Sequence, residues 1–73
     1  MATPATELTS DLIKLALVQK KTAQSVSGIY RGIARGDFPK PVRIGPRAVA
    51  WVEAEVDEWI QQRIEASRQE GAA

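Results

Sequence analysis

The clearest periodic pattern of apolar residues lies in the middle of the chain. Val26, Ile29, Ile33 and Ala34 recur at the 3.6-residue spacing of one helix face. This spacing predicts a helix over residues 26–35 with that face buried. The remaining positions are polar, basic or small, so the outer face is available to a partner.

Residues that favour helix ends mark both boundaries of this helix. Ser25 can accept a hydrogen bond from a free backbone N–H as an N-cap, and Gly36 suits a left-handed C-cap. Pro39 and Pro41 follow, and proline lacks a backbone donor and disfavours the helical conformation in the residue before it. The chain is therefore expected to be extended after Gly36.

A shorter apolar run precedes this helix. Residues 12–18 predict a short extended segment and then one or two helical turns that end near Lys21, followed by a tight connection over residues 22–24. Two short helices joined by a tight turn, the second with a polar and basic outer face, are typical of a helix-turn-helix. In that motif the second helix enters the major groove of DNA and the first lies across the backbone.

Two short strands and a third helix are predicted after the prolines. Residues 42–44 and 48–51 flank a turn that contains Gly45 and Pro46, which is the pattern of a β-hairpin. The third helix begins near residue 52 or 53, with acids in its first turn that suit the helix dipole, and ends at about Ser67. Its apolar stripe consists of Val52, Val56, Trp59, Ile60 and Ile64.

These elements predict one mainly helical domain with a small β-hairpin, a winged helix-turn-helix over residues 11–67. Residues 1–10 and 68–73 show little apolar periodicity and are expected to be a disordered lead-in and a disordered tail. Gly36 and Gly45 are interpreted as glycines that the backbone requires, since no phosphate-binding loop pattern surrounds them.

The composition excludes several classes of function. The 73 residues contain neither cysteine nor histidine, which removes disulfides, the usual zinc sites and the commonest nucleophiles and bases. Asp57 and Glu58 are adjacent on the predicted helix and point in different directions, so they form no paired acid/base site. We therefore expect a protein that is not an enzyme and needs no cofactor. Without a signal-peptide or membrane-span pattern, it is expected in the cytoplasm with no membrane partner.

The charges are segregated along the chain. Between Lys14 and Arg47 eight basic residues stand against one acid, Asp37, which gives this segment a net charge of +7, although the whole chain carries +1. The residues after Arg47 carry −4. A concentrated positive segment is expected on a surface that meets a polyanion such as double-stranded DNA. The alternative is a solvated charged surface without a partner.

Four segments of the sequence also resemble a known family. They are residues 25–31 (SVSGIYR), 34–42 (ARGDFPKPV), 45–51 (GPRAVAW) and 55–60 (EVDEWI). The chain resembles the AlpA-like proteins, small regulators of prophages and mobile elements with a MerR-like winged-helix fold that are related to excisionases, also called recombination directionality factors. The chain departs from the family pattern at Ala23, Gln24 and Val26, where Gly, Leu and Arg are usual, and at Gly28, where Thr is frequent.

The resemblance implies that Ser27, Tyr30 and Arg31 face DNA from the second helix and that Arg47 is the wing residue. With the residues that the helix-turn-helix and the basic hairpin add, the predicted DNA contacts are Gln24, Ser25, Ser27, Tyr30, Arg31, Arg35, Lys40, Arg43 and Arg47. Helix 26–35 is expected in the major groove, and the wing, residues 42–51, at the minor groove or backbone.

Structural explanations stay open for several of these residues. Tyr30 either packs against the helix pair or contacts a phosphate, and the arginines either contact DNA or are simply solvated. Trp51 and Trp59 are expected in the core rather than stacked on bases.

Two modes of DNA-dependent action fit the sequence. One is transcriptional activation or repression, for example of an integrase gene. The other is excision, in which adjacent copies bend the attachment DNA and bias an integrase. The third helix is too short for the coiled coil of full-length MerR-type regulators, which favours head-to-tail assembly on DNA and modestly favours excision. A different class is an antirepressor-like protein-interaction module that docks through the third helix.

Overall fold

Three helices and a small sheet make up the part of the chain that the structure describes. This computed structural model describes residues 11–72, with side chains for residues 11–69. The elements are β1 (Leu12–Ile13), α1 (Leu15–Thr22), α2 (Val26–Arg35), β2 (Val42–Gly45), β3 (Ala48–Val52) and α3 (Glu53–Ala72). The predicted fold, a mainly helical winged helix-turn-helix with a small β-hairpin, is confirmed. The predicted disordered lead-in, residues 1–10, lies outside the described residues.

The turn between α1 and α2 is tight because one residue adopts a left-handed conformation. Ala23 has φ 58° and ψ 34°, which ends α1. Two residues later Ser25 caps α2 as predicted, with its Oγ accepting a hydrogen bond from the backbone N–H of Gly28 at 3.1 Å. The predicted bounds of α2 are confirmed, since its start and its end both depend on local capping residues.

The buried face of α2 is narrower than predicted. Ile29 is fully buried and Ile33 is half-buried against the core. The prediction that Val26 and Ala34 share this face is wrong, because Val26 is 41% exposed and Ala34 is exposed. Val26 is only about 20° from Ile33 round the helix but is the first residue of α2, beyond the buried part of this face, and Ala34 lies about 100° round the helix from Ile33.

One of the two glycines interpreted as backbone requirements is confirmed. Gly36 has φ 82° and ends α2, and its N–H donates to carbonyl oxygens of the last turn. Gly45 is not at positive φ, and a Cβ there would meet Ala48 Cβ at an ordinary 3.6 Å. Its backbone therefore does not require glycine.

The sheet has three antiparallel strands in the order β1-β3-β2. β1 pairs Ile13 with Trp51, and β2 pairs Arg43 with Val49, with a bulge before Gly45. The predicted hairpin is therefore confirmed, while the segment predicted only as extended at residues 12–13 is a third strand. The backbone N–H of Glu53 donates to the carbonyl oxygen of Asp11 at 2.7 Å, which joins the residue before β1 to the start of α3.

The core lies between the sheet and the three helices. It consists of Ile13, Val18, Ile29, Phe38, Trp51 and Val56, and Leu15, Ile33, Trp59 and Ile60 pack against it. The prediction of two core tryptophans is confirmed for Trp51, which is fully buried, whereas Trp59 is only partly buried.

The third helix is longer than predicted. α3 begins at Glu53, as expected, but continues to Ala72 instead of ending near Ser67. Arg68, Gln69 and Glu70 belong to the predicted disordered tail, but these residue types favour helix and no proline interrupts them. The division of the chain into domain and flanking segments otherwise stays a prediction.

Candidate nucleic-acid interface

The second helix of the helix-turn-helix presents a polar face to solvent. At 100° per residue, Ser27, Arg31 and Ala34 lie on one side of α2, opposite the buried Ile29. All three are exposed, and we call them the outer face of α2. The DNA contacts of Ser27 and Arg31 stay predictions, but the position of both residues is the one that a major-groove contact requires.

The N-terminal end of α2 carries the next two predicted site residues. Ser25 is exposed, and its Oγ accepts the capping bond with one lone pair, so its hydroxyl proton and its second lone pair are available to a partner. Gln24 is half-buried, and its Oε1 is buried and accepts no hydrogen bond from the described residues. Burying an amide oxygen without a partner costs about 1–3 kcal/mol, so a donor that reaches Gln24 is stabilising.

Tyr30 joins α2 to the sheet. Its ring packs edge-on against Trp51, with centroids 6.3 Å apart, yet 43% of the residue is exposed. The two alternatives for Tyr30, packing and DNA contact, are therefore compatible, because the packed ring leaves part of the residue at the surface beside the outer face of α2.

The hairpin of β2 and β3, residues 42–52, forms the wing. Side chains alternate between the faces of a sheet, so Arg43, Val49 and Trp51 share one face, the face that Tyr30 contacts. Arg43 is exposed, and its Nη1 donates to the carbonyl of Pro46 at 3.3 Å, across the turn that carries the exposed Arg47. The structure thus places Arg43 on the sheet face that α2 contacts, with the exposed Arg47 in the adjoining turn.

Two indole groups fix the connection between α2 and the wing. Trp51 Nε1 donates to the carbonyl of Pro39 at 3.0 Å, and Trp59 Nε1 donates to the carbonyl of Asp37 at 2.8 Å. Between them Phe38 is buried, with its ring 4.9 Å from that of Trp59. The wing therefore has a defined position relative to α2, and the exposed Lys40 follows directly after this fixed segment.

One lysine of the basic segment, Lys21, forms ion pairs within the fold. Lys21 Nζ lies 2.5 Å from Glu53 Oε2 and 2.7 Å from Asp57 Oδ1. Hydrogen bonds to Asp57 and Glu53 raise the pKa of Lys21 above its ordinary value of 10.5. The +7 of the linear segment therefore overstates the charge available to a partner, since two acids of α3 neutralise Lys21.

Sequence reasoning missed an arginine beside α2. A cleft of about 200 Å³ separates α2 from α3, and Arg31 and Arg35 line it together with Arg63, which comes from the acidic part of the sequence. The signal available was the spacing of Trp59 and Arg63, four residues apart on a predicted helix and hence neighbours on one face.

Among the side chains of residues 11–69, no group of three or more from Asp, Glu, His or Cys could hold a metal ion. No helix in this range is long and apolar enough to cross a membrane.

Comparisons with known proteins agree with this architecture. Residues 11–64 match the family described as prophage CP4-57 regulatory protein (AlpA). The DNA-binding transcriptional activator AlpA of Escherichia coli K12 is 38% identical over 58 residues, which cover 71% of this chain and 83% of that protein. The uncharacterised protein ORF88 of Enterobacteria phage P4 is 35% identical over 69 residues, 93% of this chain and 77% of that protein. The family match spans both α2 and the wing, and the chain belongs to the AlpA family of prophage regulatory proteins.

Proposed function

We propose that this protein is a non-enzymatic regulator that binds double-stranded DNA, with α2 in the major groove and the wing at the adjacent minor groove or backbone. The observation that carries the proposal is the shared placement of Arg31 on the outer face of α2 and of Arg43 on the sheet face that α2 contacts. A recognition helix and a basic wing on one side can contact one duplex together. The relative AlpA of Escherichia coli is described as DNA-binding, which supports the same assignment.

The regulated process is proposed to be the excision or gene expression of a mobile element. The family is one of prophage regulators, and its member in Escherichia coli is described as a transcriptional activator. Transcriptional control of integrase or excision genes and direct action as an excisionase both require the DNA contacts described above. Head-to-tail assembly on DNA and an integrase partner belong to the second mode.

The two modes predict different footprints. An excisionase that assembles head to tail protects several adjacent half-turns of the attachment site at saturating protein, and the protected region grows with concentration. A transcriptional regulator protects a site in a promoter and changes expression of a reporter fused to it. One isolated protected half-turn at the attachment site would remove the assembly proposal.

The alternative of a protein-interaction module is less well supported by the packing of α3. Val56 is fully buried in the core of this domain, and Trp59 and Ile60 pack against it. Most of the apolar stripe is therefore used within the fold. Replacing Arg31 and Arg47 by Glu tests the choice, because a DNA-binding regulator loses function in the excision or reporter assay while such a module retains it.

A further inference from the structure

The cleft between α2 and α3 concentrates positive charge outside the predicted contacts of the wing. Three arginines, Arg31, Arg35 and Arg63, line it together with a single acidic residue, Asp37. Asp37 approaches only Arg35, at 3.9 Å, and both side chains are largely exposed. The cleft therefore carries a net charge of about +2 without a close ion pair to neutralise it.

Arg63 is held over an aromatic ring rather than by an acid. Its Cζ lies 4.9 Å from the centroid of the Trp59 ring, and Trp59 is itself fixed by its hydrogen bond to the carbonyl of Asp37. Among the side chains of residues 11–69 no carboxylate lies within 4.0 Å of Arg63. Stacking on a ring orients a guanidinium and leaves its N–H donors free for an anion.

The cleft lies on the flank of α2 opposite the wing. Gly28 and Gly32, which line the cleft, are each about 160° round the helix from Tyr30, the residue that contacts the sheet. The outer face of α2 lies between these two flanks. A helix seated in the major groove has a phosphate backbone on each side, so both flanks come close to phosphates.

We infer that the cleft between α2 and α3 binds a phosphate of the DNA backbone through Arg31, Arg35 and Arg63, on the side of α2 away from the wing. The inference rests on the proposed function and adds Arg63 to it as a binding residue. Arg and phosphate match in geometry as well as in charge, because the planar guanidinium can donate two parallel hydrogen bonds. α2 is then held between two backbone contacts, one from the wing and one from α3.

The test measures binding of a fluorescein-labelled duplex of mixed sequence by fluorescence anisotropy over a series of salt concentrations. Phosphate contacts are independent of sequence, so the natural target is not needed. We expect Arg63→Gln to weaken binding about three- to ten-fold and to reduce the slope of log K against log salt by about 0.9, the value for one lost phosphate contact. The matched control Arg68→Gln removes the same charge from the same helix outside the cleft and is expected to change both quantities much less.

A second variant tests the same site by gain of affinity. Asp37→Asn removes the negative charge that competes with the phosphate, and Asp37 makes no close ion pair that would be lost, so DNA binding should tighten. The control Glu65→Gln removes the same charge from the exposed surface of α3 and should have a smaller effect. Equal effects of Arg63→Gln and Arg68→Gln would overturn the inference. The proposed function survives such equal effects if Arg47→Gln in the wing weakens binding in the same experiment. If the wild-type protein binds no duplex at low salt, both fail together.

Discussion

Tyr30 on the recognition helix lies edge-on to Trp51 on the central strand, with the ring planes inclined at 69°. Trp51 is fully buried, and its indole N–H holds the carbonyl of Pro39 before the wing begins. One aromatic pair therefore sets the angle between the two parts of the molecule that are proposed to contact DNA. Packing at this pair and DNA affinity are expected to be linked.

Replacing Tyr30 separates the role of its ring from that of its hydroxyl. Tyr30→Phe keeps the contact with Trp51 and should leave the free energy of unfolding unchanged while weakening DNA binding about three-fold, through one lost hydrogen bond to phosphate. Tyr30→Ala removes the ring and should destabilise the domain by about 1 kcal/mol or more. Denaturant unfolding and anisotropy measure the two effects. Wild-type affinity of Tyr30→Phe would show that the residue acts through packing alone.

Ala23 is strained in the helix-turn-helix turn. Its φ of 58° costs an L-residue about 1–2 kcal/mol. Ala23→Gly should therefore stabilise the domain by about 0.5–1 kcal/mol, after the greater flexibility of glycine in the unfolded chain is counted. Ala16→Gly on the exposed side of α1 is the control and should destabilise by about 1 kcal/mol. A loss of stability in Ala23→Gly, like that expected of the control, would show that Ala23 is not strained in the turn.

Two glycines of α2 should respond oppositely to alanine. A Cβ at Gly32 would lie 3.1 Å from Phe38 Cβ, and Phe38 is buried with indole groups holding the carbonyls of the residues on either side of it. Because Phe38 cannot move aside easily, Gly32→Ala should destabilise by about 1 kcal/mol. At Gly28 the nearest atom is Ser25 Oγ at 3.4 Å, so Gly28→Ala should stabilise by up to about 1 kcal/mol through helix propensity. Thermal unfolding of the two variants side by side gives the comparison.

Lys21 should contribute to stability rather than to DNA binding. Lys21→Gln removes the ion pairs with Glu53 and Asp57 and should lower the melting temperature at neutral pH, with little change in DNA affinity. The control Lys20→Gln removes an exposed lysine with no ion pair among residues 11–69 and should leave the melting temperature nearly unchanged.

The stabilisation by Lys21 should also depend on pH. Because the pKa of Lys21 is raised in the folded state, its contribution is complete below 10.5 and is lost as the pH rises through the raised value. The difference in melting temperature between wild type and Lys21→Gln should therefore shrink in strongly alkaline buffer. A difference that stays constant across this range would exclude the ion pairs as its cause.

Local signals in the sequence predict much of this fold. The bounds of α2 follow from Ser25 and Gly36, since each acts through the backbone within a few residues. The hairpin follows from alternation around a turn. The pairing of β1 with β3 is not predicted from the sequence, because a strand of two residues is too short to show a periodic pattern. Its partners, Trp51 and Val52, are also distant along the chain.

At the candidate site, the order of charges along the chain does not predict which charged residues lie together in the fold. The order of charges along the chain places Lys21 in the basic segment and Arg63 in the acidic part of the sequence. Folding brings Lys21 to two acids of α3 and brings Arg63 to the cleft beside Arg31. Both reassignments depend on which helices pack together, and tertiary packing is not readable from local charge.

The central claim is that α2 and the wing contact one DNA duplex together, and fluorescence anisotropy tests it most directly. Wild type, Arg31→Ala and Arg47→Ala are titrated onto a labelled duplex spanning the attachment site and onto a scrambled duplex, at several salt concentrations. We predict tighter binding to the attachment site, weakening with salt, and a loss of about ten-fold or more in each variant. Absence of binding to either duplex at low salt, or wild-type affinity in both variants, would contradict the account.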